Sequence, residues 1–346
     1  MHIPEKWHRA AKLFVLDFLL IAVGLLIFAY FHHVRSEAYS TDDVLVITRP
    51  SDAPAVSATA DPAEQPDEAP EGEPVTEETP VPTETPAPTP EPIPWSEKFA
   101  DKFTDGDVKV TDTSYRSENI SVTINSYSQP GMAWYVADIY IADIENYLTA
   151  FAEGKYGKGL RDWPKNIAAA NNAIVAVTGD YYGTREKGVV IRNGAVYRTS
   201  TFKDLCILYY DGVMETMSAS EFNPDEAIAR GAYQAFSFGP QLLDENGVAL
   251  KSFNSEITET NPRCAIGYFE PGHYCFVVVD GRQEGYSDGM EMSMLATVFQ
   301  GLGCKAAYNL DGGQTAAMIF MGEFVNKPLE GGRQISDIVY IGEVAE

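Results

Sequence analysis

The sequence predicts a strand-rich α/β to α+β domain, with a mixed sheet, several β-hairpins and one βαβ crossover near its C-terminus. Three observations predict it. Turn dipeptides that tolerate positive φ separate apolar or alternating runs: Asn193-Gly194, Asp211-Gly212, Asn246-Gly247 and Pro271-Gly272. Helical periodicity is confined to a few short stretches. Near the end, "YCFVVVDG" and "CKAAYNLDGG" flank the helical "MEMSMLATVFQGLG". A strand, a helix and a strand over about 40 residues form a crossover whose two strands run parallel in one sheet.

Ahead of that domain the chain changes character twice. Residues 1–12 are expected as a cytoplasmic tail. Leu13 to Phe31 is an apolar run of 19 residues, broken only by Asp17 and softened by Gly24. Such a run is long enough to cross a bilayer, so a transmembrane helix is expected over 13–33. Lys6, Arg9 and Lys12 favour a cytoplasmic N-terminus and a domain outside the cell membrane. A cleaved signal peptide is the competing reading. "SEAYS" at Ser36–Ser40 offers small residues, but the apolar run exceeds the roughly 7–15 residues of a signal core. Pro50 to Pro94 holds 13 of the 21 prolines, 11 acidic residues and no Lys or Arg. A segment of that composition buries too little apolar surface to fold. Residues 34–97 are therefore expected as a disordered, extended stalk.

Residues 98–346 are expected as the folded domain. Residues 1–49 hold five basic and five acidic residues, and the proline-rich stretch adds only acids. The remainder, from Trp95, keeps 20 basic and 34 acidic residues, a net charge of −14. That balance argues against a nucleic-acid partner, which needs a basic face. An anionic substrate must be held by a few local arginines. Cys206, Cys264, Cys275 and Cys304 lack metal-ligand spacing and read as buried free thiols. With a two-residue turn at Pro271-Gly272, Cys275 is expected opposite Tyr268.

The remaining elements follow in order. "ISVTINSYS" and "AWYVADIYIADI" read as strands. Trp163 to Asn171 is an Ala-rich helix with Pro164 in its first turn. Asn223-Pro224-Asp225-Glu226 is an N-cap, a proline and an acidic first turn, leading to Arg230-Gly231. In the crossover helix Met290, Met294, Val298 and Leu302 share one face, expected to pack in the core.

Both crossover strands end in Asp-Gly, at Asp280-Gly281 and Asp311-Gly312, and "AIVAVTGD" ends similarly at Gly179-Asp180. Parallel strands bring Asp280 and Asp311 to one C-terminal sheet edge, where open α/β sheets bind ligands. Carboxylates on adjacent or next-nearest strands, about 4.8 Å or twice that apart, fit the roughly 5–9.5 Å of a glycosidase pair. They also fit a divalent-metal site. The plainer reading is that Asp-Gly only terminates strands. Arg282 lies two residues beyond Asp280, and Arg263 joins it if its strand neighbours "FVVVD"; paired guanidinium bonds suit phosphate, with structural salt bridges the alternative, a stronger one for Arg263 than for Arg282. Gly312 and Gly313 allow close backbone approach and expose N–H donors. Of the five histidines only His273 lies in the domain, in a turn, so serine-triad, Cys–His and histidine-zinc chemistries fit poorly.

"TGDYYG", "GVVIRNG", "FSFGPQLL", "NPRCAIG", "VVVDGRQEGYSDGM", "LGCKAAYNLDGGQTAAM" and "GGRQISDIVYI" occur in this order. Together they resemble the phosphodiester glycosidase domain family, whose bacterial members are often labelled exopolysaccharide-biosynthesis proteins. The resemblance covers roughly Tyr135 to Gly342. It implies a hydrolase that cleaves the sugar C1–O bond of a sugar-1-phosphodiester, here in a cell-envelope glycopolymer or exopolysaccharide. It implies Asp311 and Asp280 as the catalytic pair, and Arg263, Arg282, Asn309, Gly312, Gly313 and Asp180 as substrate-binding residues. It requires no cofactor, while a divalent metal stays compatible with it. Thr178 stands where the family usually has Asn, Met294 where it often has Glu, and Gln314 and Thr315 where Gly or Ser is common. A wall-polymer binding module with a degenerate pocket, or an envelope-assembly scaffold, is the alternative.

Overall fold

A computed structural model describes residues 5–30, 36–42, 44–50 and 93–344. Glu5–Ala29 is a helix of 25 residues, and Phe14, Phe18 and Leu26 on it are exposed. Among the described residues, no helix is long and apolar enough to cross a membrane. The expected span at 13–33 therefore finds no support in them, and its last residues, 31–33, lie outside them.

Most of the expected stalk, 51–92, also lies outside the described residues. Its two ends do not behave as a stalk. Glu37–Ala38 pairs with Gly157–Lys158, and Leu45–Val46 pairs with the strand Ala195–Arg198. The cause is local composition. "VLVIT" at 44–48 is β-branched and apolar before the prolines begin, and Ile47 is buried in the main core. Trp95–Lys98 forms a short helix after Pro94.

Among the described residues three larger sheets, besides the two-stranded pair Glu37–Ala38 and Gly157–Lys158, build the domain. The largest has seven strands. From one edge it runs Ala306–Leu310, Arg263–Glu270, His273–Val279, Met132–Ile141 and Ile120–Gln129. A six-stranded sheet contains Val190–Arg192, Leu205–Tyr209 and Ala232–Phe236, and a five-stranded sheet contains Val175–Thr178 and Asp337–Ile341. Every strand pair among the described residues is antiparallel. The domain is α+β. His273–Val279 and Ala306–Leu310 do run parallel to each other, as a crossover requires. They are not bonded neighbours, because Arg263–Glu270 lies between them, antiparallel to both.

The seven-stranded sheet is covered on both faces. Ile266, Phe276, Val278 and Leu310 face the core shared with the other sheets. Ala265, Val277, Val279 and Ala307 face the helix Met292–Leu302. That helix buries Met292, Leu295, Ala296 and Phe299; of the stripe read from sequence, Met290 is buried and Val298 and Leu302 pack partly buried against the same core, but Met294 is 40% exposed. Phe299 sets the angle, because its ring fills the space left by Gly267, where any Cβ would stand 2.7 Å from it. The other two helices match expectation. Pro164–Ala170 starts at its proline, and Asn223 caps Pro224–Ala229 by accepting from the amides of Asp225 and Glu226. In the Pro271-Gly272 hairpin a bulge puts Cys275 opposite Gly267, not Tyr268. The four cysteines are buried free thiols.

Candidate active site

A cavity of about 320 Å³ opens where the seven-stranded sheet meets the five-stranded one. The junction is the turn after Leu310. Asp311 N–H donates to the Gly179 carbonyl at 3.0 Å, at the end of the Val175–Thr178 strand. Gly312 passes so close to Pro262 that a Cβ would stand 2.7 Å from its carbonyl oxygen. Gly313, at φ +68°, donates its N–H to that same oxygen at 2.9 Å. The turn is then tied from within and behind. Thr315 Oγ1 donates to the Gly312 carbonyl at 2.6 Å, and Thr178 Oγ1 donates to the Thr315 carbonyl at 2.5 Å.

Asp311 lines the cavity with Arg282, Arg333 and Arg185. It is partly exposed on that side and enclosed by protein elsewhere. Burial pushes its carboxyl up to about 7, against the opposing pull of the Thr315 hydroxyl and the charges of Arg333 and Arg185. Arg282, in the left-handed region at φ +56°, is held by Asn261, whose Oδ1 accepts from its Nε at 3.1 Å and its Nη2 at 2.5 Å. Asn309 is buried; its Nδ2 donates to the Gly239 carbonyl at 2.9 Å, and its Oδ1 has no partner. That orphaned acceptor belongs to a residue lining the cavity. Gln314 lines it too, and donates to Glu330 at 3.0 Å.

The other residues expected at the site are placed differently. Asp280 lies at the same sheet edge but does not line the cavity. Its oxygens accept from Tyr286 Oη at 2.8 Å, Asn326 Nδ2 at 2.8 Å and the Lys327 amide at 3.0 and 3.1 Å. The pleat explains this. Val278 and Leu310 lie on one face of the sheet, since both pair with Cys264. Asp280 follows Val278 by two residues and keeps its face, whereas Asp311 follows Leu310 by one and changes face. Asp280 therefore does not share the cavity with Asp311.

Arg263 does line the cavity, between the two crossover strands, but its guanidinium is engaged. Nε donates to Met290 O at 3.0 Å, Nη1 to Ile257 O at 3.0 Å, and Nη2 to Glu259 O. Burial lowers its pKa to about 10. It braces the cavity wall. The Gly313 amide is likewise committed to Pro262.

Asp180 joins a buried ion group elsewhere. Arg192 Nη2 lies 3.1 Å from Asp180 Oδ1 and 2.9 Å from Asp337 Oδ2. Asp180 also accepts from the amides of Tyr182 and Ser237. Asp337 packs where a Gly179 Cβ would be, 2.3 Å from its Oδ1, so that position needs glycine. Burial and the Asp180 charge raise the Asp337 pKa, and Arg192 opposes them.

Sequence reasoning missed Arg185, Lys203, Phe238 and Arg333, which line the cavity from four separate segments. Arg333 was within reach, since it lies in "GGRQISDIVYI". Arg185 and Lys203 sit in loops with no local signal. Met294 is remote, beside Gln129, Met132 and Trp134. Among the described residues no group of three or more His, Cys, Asp or Glu is arranged to hold a metal ion.

Fold and cavity together define an α+β domain with Asp311 set among cations at a sheet junction. Residues 171–342 match the family model described as phosphodiester glycosidase, and the chain belongs to that family. A curated relative is the SPbeta prophage-derived uncharacterized protein YomE of Bacillus subtilis (strain 168), 27% identical over 187 residues. That match covers 51% of this chain and only 29% of YomE. Among solved structures, the zebrafish N-acetylglucosamine-1-phosphodiester alpha-N-acetylglucosaminidase catalytic domain, auto-inhibited by its pro-peptide, superposes with a TM-score of 0.54. It is 17% identical, over 69% of this chain and 88% of that one, and so shares the fold.

Proposed function

We propose that this domain hydrolyses the C1–O bond of a sugar-1-phosphodiester, with Asp311 as its single catalytic carboxylate. The observation that carries the reading is Asp311 itself, raised to about 7 in a cavity lined by arginines. A base poised near neutral pH suits activation of water. In the reaction Asp311 takes a proton from water, the water oxygen bonds to C1, and the C1–O bond breaks. The electron pair leaves with the phosphate monoester, whose second pKa is about 6. So stable a leaving group needs little acid help, which accords with the absence of Asp280 from the cavity. Arg282 and Arg333 hold the phosphate, and charge stabilisation there supplies most of the catalysis. Asn309 Oδ1, the orphaned acceptor, takes a sugar hydroxyl.

An envelope glycopolymer substrate and a membrane-tethered, extracytoplasmic placement are proposed from the composition of residues 1–97. Turnover with and without EDTA decides whether a divalent ion takes part. The main test incubates the purified protein with an N-acetylglucosamine-1-phosphodiester and follows free sugar. Release that disappears in Asp311→Asn supports the reading. Saturable binding of the diester with no release favours a binding module instead.

A further inference from the structure

The cavity holds more positive charge than one phosphodiester needs. Arg185, Lys203, Arg282 and Arg333 all line it, and none joins an ion pair among the described residues. This occurs in a domain where acids outnumber bases 34 to 20. One carboxylate besides Asp311, Glu256, shares the lining. A phosphodiester carries a single negative charge, and Arg282 and Arg333 already answer it.

The surplus pair is built differently from the rest. The Arg185 guanidinium lies over two rings, 5.4 Å from the Phe202 centroid and 4.8 Å from that of Phe238. Its Nη1 donates to Ser237 O at 3.1 Å, and Arg198 holds its backbone by donating to the Arg185 carbonyl at 2.6 Å. Lys203 Nζ lies 5.6 Å from the same Phe202 ring, which is 47% exposed. An aromatic face holds a cation in place without cancelling its charge. A carboxylate partner would cancel it. This arm therefore keeps beside the cavity two cations that have ring contacts but no ion-pair partner among the described residues.

We propose that Arg185 and Lys203, on the Phe202 and Phe238 rings, form a second anion subsite that takes a further phosphate on the leaving-group side of the substrate. The inference rests on the phosphodiester reading of Asp311 and deepens it: the substrate is a chain with at least two phosphates, not a diester with a neutral aglycone.

Binding tests it separately from turnover. Glycerol 3-phosphate and propane-1,3-diol bisphosphate are titrated by calorimetry into the wild type, Lys203→Met, Phe202→Leu and Lys251→Met, each with its melting temperature recorded. Lys251 is an exposed lysine that does not line the cavity and controls for general charge. The wild type should prefer the bisphosphate by about ten-fold or more, the scale of one charge-assisted hydrogen bond. Lys203→Met should abolish that preference, Phe202→Leu should reduce it, and Lys251→Met should keep it. Equal affinity for both probes in the wild type, or an equal loss in Lys203→Met and Lys251→Met, overturns the subsite. A Lys203-dependent preference in a protein that releases sugar from no diester leaves the subsite standing and sinks the hydrolase reading instead.

Discussion

Asp280 and Asp311 end two strands that point the same way, at the same edge of one sheet, and each is followed by glycine. Asp280 is 2% exposed and accepts from a tyrosine, an asparagine and a backbone amide. Asp311 opens on a cavity lined by arginines. Burial raises both, but hydrogen bonds to the charged form oppose the rise at Asp280, whereas distant guanidinium charges and one hydroxyl do so at Asp311. Strand position alone does not make a carboxylate chemical. Its partners decide: where they are spent on holding the chain, the group is a rivet, and where they are withheld, it keeps capacity for a ligand.

The largest expected effect breaks that comparison directly. Asp311→Asn should lower kcat/KM for a sugar-1-phosphodiester by about 10³ or more if Asp311 is the base, since general-base help is typically worth roughly 10²–10⁴. Its effect on stability should run the other way. The folded-state pKa, about 7, lies above the ordinary 3.8, so the folded protein binds that proton more tightly than the unfolded chain. The stability this contributes is complete below the ordinary value and is lost as pH rises through about 7. Asp311→Asn should therefore be more stable than the wild type at pH 8, by about 1–3 kcal/mol, with the gap closing near pH 4. Denaturant unfolding at the two pH values measures it.

Asp280→Ala should do the reverse. It strands the Asn326 side-chain amide, the Lys327 N–H and the Tyr286 hydroxyl without their acceptor. A cost of about 3 kcal/mol follows at pH 7, while the folded fraction should still turn over a diester within a few-fold of the wild type. A loss of turnover matching that of Asp311→Asn would restore the carboxylate pair and refute the division drawn between the two residues.

The pH–rate profile sharpens the same point more finely. For an Asp311 base, kcat/KM should rise with pH through an apparent pKa near 7. The Arg333 charge favours the ionised carboxylate, so Arg333→Met should move that limb upward by roughly half a pH unit, a modest step because Arg333 is exposed.

Much of this was legible in the sequence. The Asn-Gly, Asp-Gly and Pro-Gly turns, the capped helices and the parallel direction of the two Asp-Gly strands all follow from local chemistry and loop length. So did Arg263 at the edge beside them. The facing of Asp280 was not legible. It turns on one residue of parity, fixed only once Cys264 is seen to pair with both Val278 and Leu310. The helix face at Met292–Leu302 was read only in part: Met294 on the expected stripe is exposed, and the room left by Gly267 turns Phe299 inward instead. Arg185 and Lys203 reach the cavity from loops whose neighbours are far away in sequence, so no periodicity could have found them.

The smallest effect expected concerns Thr178, where the family usually carries Asn. Its hydroxyl donates to the Thr315 carbonyl, and Thr315 in turn holds the Gly312 carbonyl, so one short chain of bonds ties the Val175–Thr178 strand to the turn that carries Asp311. Thr178 is 1% exposed and does not line the cavity. Thr178→Val keeps the shape and removes only the donor, at a cost of about 1 kcal/mol. If the bond merely stabilises the fold, kcat should be unchanged at temperatures well below melting. If it positions Asp311, kcat should fall about three- to ten-fold, because small displacements of a catalytic group are costly. KM and the apparent pKa near 7 should then stay put, since neither the cations nor the burial of Asp311 changes. Thr178→Asn tests the same link from the other side: a side-chain amide can also donate to that carbonyl, so it should recover the rate lost in Thr178→Val. Loss of kcat in both variants would show that the hydroxyl itself, not the tether, is what the turn requires.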